Sequence, residues 1–176
     1  MRGTRKFAWL ATAALAAGLA VGTGPAGAAT TFVQSHGALV DLAPAVANPT
    51  DGATASLWAV SGGGGTTFWV FIWGLDPEAA DTTYGAHIDV GPCVAGNGAA
   101  AGPHYNSDGG VPTPENEVWL DFTVLPGGFG YAVTTVPFEI EPGDAQSMVI
   151  HVQPTQHGGS TPGAAGGRQA CLPVEF

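Results

Sequence analysis

Short segments rich in β-branched and aromatic residues recur along this chain, and clusters of Gly, Pro and Asp separate them. After residue 30, no apolar pattern with the 3.6-residue period of a helix continues for three turns. The segments predict eight strands, at residues 31–42, 54–60, 66–73, 84–90, 118–125, 131–139, 147–153 and 171–174. We therefore predict an all-β domain built as an antiparallel sandwich or barrel.

The predicted strand at 66–73 has large apolar side chains on both of its faces. The two alternating sets are Phe68, Val70 and Ile72, and Trp69, Phe71 and Trp73. One face belongs to the core, and the other needs cover from a loop or from a second subunit, as in a homodimer, unless it serves as a ligand platform. We favour a cover over a platform.

The start of the chain predicts a cleaved secretory signal peptide. A basic segment at 2–6 precedes an apolar run at 7–21, and residues 26–28 are small, as a signal peptidase requires. We therefore assign residues 1–29 to a Sec-type signal peptide and residues 30–176 to one secreted domain, long enough to bury a single core.

The charge of the predicted mature chain excludes several classes of partner. Residues 30–176 contain one positive side chain, Arg168, against fourteen Asp and Glu, a formal charge of −13 with neutral histidines. Such a chain has no basic footprint for nucleic acid and is repelled by anionic membranes. No further apolar segment is long enough to span a bilayer, so we expect no membrane association after processing.

Cys93 and Cys171 are the two cysteines of the chain. In a secreted protein a disulfide between them is the default expectation. They lie 78 positions apart, so loop closure would stabilise the fold by up to roughly 4.5 kcal/mol. A role for both as metal ligands stays open as the alternative, although neither belongs to a CxxC pair.

Two long segments, 91–116 and 154–168, carry no strand pattern. Loops of this length in a compact domain are usually functional or disordered. Because the expected disulfide anchors both segments, we interpret them as functional loops.

Four residues at separate positions are candidates for a metal site. His87 and Asp89 lie two apart on a predicted strand, so their side chains leave from the same face and suit one ion, although a solvated strand face would also explain them. His104 lies in the first long loop. His151 lies in an apolar strand, where a core histidine with a satisfied ring is the ordinary alternative. These residues form a site only if the fold brings them together.

Five short motifs, in order, resemble those of copper-zinc superoxide dismutases. They are GAHID at 85–89, GPC at 91–93, AGPHYN at 101–106, VIHV at 149–152 and GAAGGRQAC at 163–171. The resemblance implies an eight-stranded antiparallel Greek-key sandwich or barrel with two long functional loops. It also implies a disulfide between Cys93 and Cys171.

The resemblance implies roles for individual residues. His87, His104 and His151 match three of the copper-binding histidines, and Asp89 stands where the family has the fourth. Arg168 matches the arginine that receives the superoxide anion, which is consistent with its being the one Lys or Arg of the acidic segment 30–176.

The zinc half of the family's site is missing from this sequence. The bridging histidine corresponds to His104, but no histidine occurs between His104 and His151. The carboxylates of this stretch, which include Asp108, Glu115, Glu117 and Asp121, do not reproduce an imidazole-rich zinc site. We therefore expect copper as the cofactor and disfavour zinc.

Three functions remain open at this point. The first is a secreted, zinc-free superoxide dismutase that converts superoxide to dioxygen and hydrogen peroxide as an antioxidant enzyme. The second is a copper-binding relative without catalytic activity. The third is an interaction sandwich that uses the face of Trp69, Phe71 and Trp73. A carboxylate at Asp89 favours Cu(II) over Cu(I) and would slow the reduction step if it were a ligand.

Overall fold

The computed structural model describes residues 30–176, and the predicted signal peptide at 1–29 lies outside the described residues. Ten strands are formed: β1 Thr31–Ala38, β2 Val40–Asp41, β3 Thr54–Gly62, β4 Gly65–Trp73, β5 Thr83–Tyr84, β6 Ala86–Asp89, β7 Phe122–Thr123, β8 Phe129–Val136, β9 Ser147–His151 and β10 Arg168–Pro173. Two short 3-10 helices, Pro77–Ala79 and Gly98–Ala101, are the helical elements of the described part. The prediction of an all-β domain is confirmed.

Two antiparallel four-stranded sheets form the sandwich. One has the order β1-β3-β4-β8, and we call it the aromatic sheet. The other has the order β2-β10-β9-β6, and we call it the histidine sheet, since β6 and β9 carry His87 and His151. β5 and β7 form a separate pair. The Greek-key connectivity that the resemblance implies stays a prediction.

The main core lies between the two sheets and follows from the two-residue period of the strands. From the aromatic sheet it takes Leu57, Phe68, Val70 and Ile72, and from the histidine sheet Ala86, Ile88, Met148, Ile150 and Leu172. Burying a side chain of this size contributes roughly 1.5–3 kcal/mol.

The histidine sheet is also covered on its outer face. The loop at residues 91–104, which we call the covering loop, folds over it, and a second apolar cluster of Leu42, Ala101, Val149 and Cys171 fills the space. All residues of β6 and β9 are consequently buried. Outward-facing polar side chains of these two strands are therefore held away from water.

Three predicted strands are divided or reduced to a short piece in the structure, and those predicted at 131–139 and 147–153 end earlier, at Val136 and His151. The segment 31–42 divides at Leu39, whose amide donates outside the strand to Ala53. The segment 84–90 divides at Gly85, where an added Cβ would lie 2.7 Å from the Cβ of Ala165. The segment 118–125 keeps only β7 as a strand. The first two breaks lie where the chain contacts distant segments, which local pattern does not encode.

No helix among residues 30–176 combines the length and the apolar character that crossing a membrane requires.

Candidate metal centre

Three imidazoles meet at one edge of the histidine sheet. His87 comes from β6, His151 from the end of β9, and His104 from the covering loop, where it forms a backbone bridge with Asp89. One nitrogen from each ring lies within 4.8 Å of the others. His87 and His151 are buried, and the side chain of His104 is 16% exposed.

Hydrogen bonds determine which nitrogen of His87 is free. Its Nε2 lies 2.8 Å from the hydroxyl of Thr155. That hydroxyl uses its one proton in a hydrogen bond to a carboxylate oxygen of Asp121. It must therefore accept a hydrogen bond from the Nε2–H group of His87. The Nδ1 atom of His87 is thus unprotonated, and it has no hydrogen-bond partner.

The other two rings are held in the same way. Nδ1 of His151 donates to the carbonyl of Gly166 at 3.1 Å, which leaves a buried Nε2 without a partner. Nδ1 of His104 lies 3.0 Å from Oε2 of Glu117 and donates to it. Each ring therefore has its outer nitrogen bonded to protein and its inner nitrogen bare, which is the arrangement of metal-ligating histidines.

Burial keeps two of these rings neutral. It lowers the pKa of His87 to about 2, and the nearby His104, His151 and Arg168 add to the effect. Burial also lowers the pKa of His151 to about 4, against the hydrogen bond to Gly166, which acts to raise it. Both rings offer lone pairs throughout the physiological pH range, so the donor set fits a metal ion without prior deprotonation.

Glu117 is shared between His104 and Trp119. Its Oε2 accepts from the Trp119 ring nitrogen at 2.8 Å as well as from His104. Burial acts to raise the pKa of Glu117, but the hydrogen bonds from His104 and Trp119 outweigh it and hold the pKa below its ordinary value. An ionised carboxylate in this place increases the basicity of the imidazole and fixes its orientation.

Asp89 faces Arg168 and is not part of the three-imidazole group. Its carboxylate is fully buried, and Oδ2 lies 2.9 Å from Nη2 of Arg168. The angle is too poor for a hydrogen bond, and neither carboxylate oxygen has one. Burial raises the pKa of Asp89 to about 7, although the charges of His104 and Arg168 act to lower it. A role for Asp89 as a ligand stays a prediction.

Arg168 is also tied to the covering loop. Nη1 donates to the carbonyl of Gly98 at 2.7 Å, and Nη2 donates to that of Gly102. Gly102 has φ +71°, a left-handed conformation that favours glycine, so the turn that presents this carbonyl depends on it. The one cation of the described chain is therefore placed beside the imidazoles.

An open cleft of about 840 Å³ leads to the site, and its lining includes His104, Glu117, Arg168 and Asp144. His104 is the most exposed of the three rings and the one that lines the cleft.

The predicted disulfide between Cys93 and Cys171 is confirmed, with a Cα–Cα distance of 5.9 Å. It joins the covering loop to β10, the strand that carries Arg168. The alternative in which both cysteines bind metal is wrong, because both sulfurs are used in the bond.

Comparisons with known proteins bear on the fold. No protein-family model and no curated protein matches the chain. Among solved structures, it is similar to a double mutant of a SOD-like protein from Bacillus subtilis, in which a tyrosine and a proline are replaced by histidine. The TM-score is 0.57 at 20% identity, over 81% of this chain and 95% of the other. The chain has a superoxide dismutase-like fold.

This fold brings together the residues that the motifs singled out. The three histidines converge, Arg168 lies beside them, and the disulfide forms. Asp89 lies on the same outer face as His87, as the strand period predicts, but it pairs with Arg168. The predicted roles of Asp89 as a ligand and of Arg168 in receiving an anion stay predictions.

Sequence reasoning missed the residues that hold the three rings. Asp121 and Thr155 align His87, Glu117 aligns His104, and the Gly166 carbonyl aligns His151. Asp121 and Glu117 were considered only as substitutes for zinc ligands. The one local signal in the sequence is a glutamate two residues before a tryptophan, which is too common to assign a role.

Proposed function

We propose that residues 30–176 form a secreted, copper-dependent superoxide dismutase-like protein that works without zinc. Two superoxide ions and two protons would give one dioxygen and one hydrogen peroxide. The metal would be held by Nδ1 of His87, Nε2 of His104 and Nε2 of His151.

One observation carries the proposal: three bare imidazole nitrogens converge, and two of them are buried without a partner. A buried polar atom without a hydrogen bond costs about 1–3 kcal/mol. A bound metal ion would remove that cost at both atoms. Imidazole donors suit both oxidation states of copper, and the fold is the one known for copper chemistry in the resembling family.

Bound copper would supply the one-electron redox couple that oxidises one superoxide and reduces the next. The chain's own residues would bring the anion in and control protons. Arg168 and the cleft provide the approach for an anion, and His104 is the ring that faces it. Glu117 holds the proton on Nδ1 of His104 in place.

The contact between His104 and Glu117 also supports the zinc-free part of the proposal. In a bridged copper-zinc site the second ring nitrogen of the shared histidine binds zinc. Here that nitrogen donates a hydrogen bond to Oε2 of Glu117. The same oxygen accepts a second hydrogen bond from the ring nitrogen of Trp119. Glu117 thus takes the place of a second metal in orienting the ring.

Metal analysis together with a superoxide-consumption assay tests the proposal. The secreted chain, loaded with copper and zinc together, should retain one copper and no stoichiometric zinc, and copper loading should produce superoxide consumption. One equivalent of zinc would contradict the zinc-free assignment. Absence of bound copper would overturn the proposal as a whole.

Copper binding without turnover is the second candidate, and the ion pair between Asp89 and Arg168 favours it. A carboxylate 2.9 Å from the guanidinium neutralises the charge that would attract superoxide. Asp89→Asn separates the two candidates because it releases that charge while keeping the shape. In a dismutase, turnover should rise and should fall more steeply with salt.

Asp144→Asn is the matched control for this test, since Asp144 lines the same cleft and has no ion pair with Arg168. It should change turnover much less. If the native protein and both variants bind copper and none consumes superoxide, the function is copper binding alone.

A further inference from the structure

The aromatic sheet carries no ionised side chain in a strongly acidic protein. β1, β3, β4 and β8 contain no Asp, Glu, Lys or Arg. All fourteen carboxylates of the chain lie elsewhere in residues 30–176. The strands on this side of the sandwich are therefore free of carboxylates, and Glu139, which accepts from the Gly64 amide, lies at the turn between β3 and β4.

The outer side of this sheet is a continuous aromatic surface. We call it the aromatic face, and it consists of Trp58, Trp69, Phe71, Trp73, Phe129 and Tyr131. Phe71 contacts three of these rings, with centroids 5.3, 6.2 and 6.4 Å away. Trp73 is 42% exposed and Tyr131 is 52% exposed, and Val133 beside them is 54% exposed. No segment of residues 30–176 covers them.

Two pairs of polar groups beside the aromatic face bond to each other, and Gln34, opposite Trp58, is exposed without a side-chain hydrogen bond. The hydroxyls of Thr67 and Thr135 lie 3.0 Å apart, and Nδ1 of His36 lies 2.6 Å from the hydroxyl of Ser56. The rest of the surface is mainly aromatic and aliphatic, which suits an apolar partner.

The area is sufficient for a specific complex. The four strands have eight or nine residues each, so the sheet measures about 27 Å by about 19 Å. Two such surfaces bury about 1,000 Å² in total, which is the lower limit for a biological interface.

The distribution of charged residues indicates which surface a second copy of the chain would contact. Residues 30–176 carry one Arg against fourteen Asp and Glu, so two copies of this domain repel each other wherever acidic surfaces meet. The aromatic face is the large surface on which a second copy meets no carboxylate. Two identical sheets have the same twist, so they pack face to face as the sheets of a sandwich do.

We propose that this protein forms a two-fold symmetric dimer in which the aromatic faces of two copies pack against each other. The metal-binding residues belong to the opposite sheet and its covering loop, so both clefts stay open in the dimer. The proposal does not depend on copper binding or on turnover.

Sedimentation of the processed chain, purified after secretion, tests the dimer. The mass should approach that of two chains at micromolar concentration. Val133→Arg should weaken association about 100-fold or more, since two-fold symmetry places two unpaired charges in one dry interface. Val46→Arg is the matched control, because Val46 is 66% exposed and is not part of the aromatic face. It should leave association unchanged.

Two measurements on the native sequence keep the test valid if Val133→Arg does not fold. Three of the four tryptophans in residues 30–176 lie on the aromatic face, and Trp119 is buried. Dilution should therefore shift the emission to longer wavelength. Raising the salt from about 0.01 M to about 1 M should strengthen association by screening the acidic surfaces.

A native protein that stays monomeric at about 100 µM would overturn the proposal, because this concentration exceeds the dissociation constant of a specific dimer of this size. Equal weakening by both arginine variants would also overturn it. So would retention of the monomer on insoluble neutral polysaccharide or on uncharged lipid vesicles, which would identify a different occupant.

Discussion

The two sheets of this sandwich share one core but differ on their outer faces. The histidine sheet lies under a loop, and its outward positions carry His87, Asp89 and His151. The aromatic sheet has no cover among residues 30–176, and its outward positions carry aromatic rings such as Trp73 and Tyr131. Polar residues are thus buried on one side, and apolar residues are exposed on the other.

The difference between the two sheets shows that a loop packed over a strand changes the ionisation of the side chains that face outward from it. Alternation places every second side chain outward in both sheets. Under the covering loop, such side chains lose water, and their pKa values move far from ordinary values, as at His87 and Asp89. Clusters of this kind mark functional sites. On the open sheet the same positions carry large apolar side chains in contact with water, and such exposed patches often mark interaction surfaces.

Removing the disulfide should have the largest effect on this contrast. The Cys93→Ala/Cys171→Ala variant frees the covering loop from β10, and stability should fall by about 2–5 kcal/mol. Urea unfolding measures the loss, and hydrogen exchange should locate it in residues 91–104. A uniform increase of exchange over both sheets would contradict the view that the disulfide mainly secures the cover.

His151→Ala should weaken copper binding about 100-fold or more, since one of three ligands is lost. Competition with a copper chelator measures the affinity. His157→Ala is the control, because His157 packs against Trp119, at a centroid distance of 5.0 Å, and is outside the three-imidazole group. Equal losses in the two variants would show that the group does not hold the metal.

Glu117→Gln should lower copper affinity by about 10-fold, because a neutral amide supports the His104 ring less than a carboxylate does. The exposed Glu115 offers a matched control, and Glu115→Gln should leave the affinity unchanged. The copper spectrum should also shift in Glu117→Gln alone. Unchanged affinity and spectrum would assign Glu117 a purely structural role with Trp119.

The metal-free protein should lose stability as the pH falls below about 6.5. The pKa values of His87 and His151 are lowered in the folded state, to about 2 and about 4. As the pH falls from about 6.5, these two histidines are therefore protonated in the unfolded chain before they are protonated in the folded one. Asp89, with its pKa raised to about 7, acts in the opposite direction with one proton. The net slope from these three groups is at most about 1.4 kcal/mol per pH unit.

Urea midpoints of the metal-free protein between pH 7.5 and 4.5 measure this slope. Bound copper should steepen it, since protons then compete with the metal. Stability that rises as the pH falls through this window would mean that Asp89 outweighs the histidines.

Much of the fold was predictable because strand patterns are local. The strands around Phe68 and around Ile150 were located by composition and turns, and the period of two placed His87 and Asp89 on one face. The candidate site was predictable only through motifs in the right order. Nothing near His151 in sequence indicates that His87 lies beside it, because the two are joined by the pairing of β6 with β9.

The sequence by itself determined the all-β class, the acidic charge, the cysteine pair and the three histidines, since these are properties of composition, periodicity and motif. Only the tertiary structure decided that Asp89 faces Arg168, that Glu117 holds His104 and that one sheet is covered while the other is bare. Those contacts join residues far apart in the chain, such as Asp89 and Arg168 at 2.9 Å. Their energies arise from burial and charge, which exist only after the sheets and loops have packed.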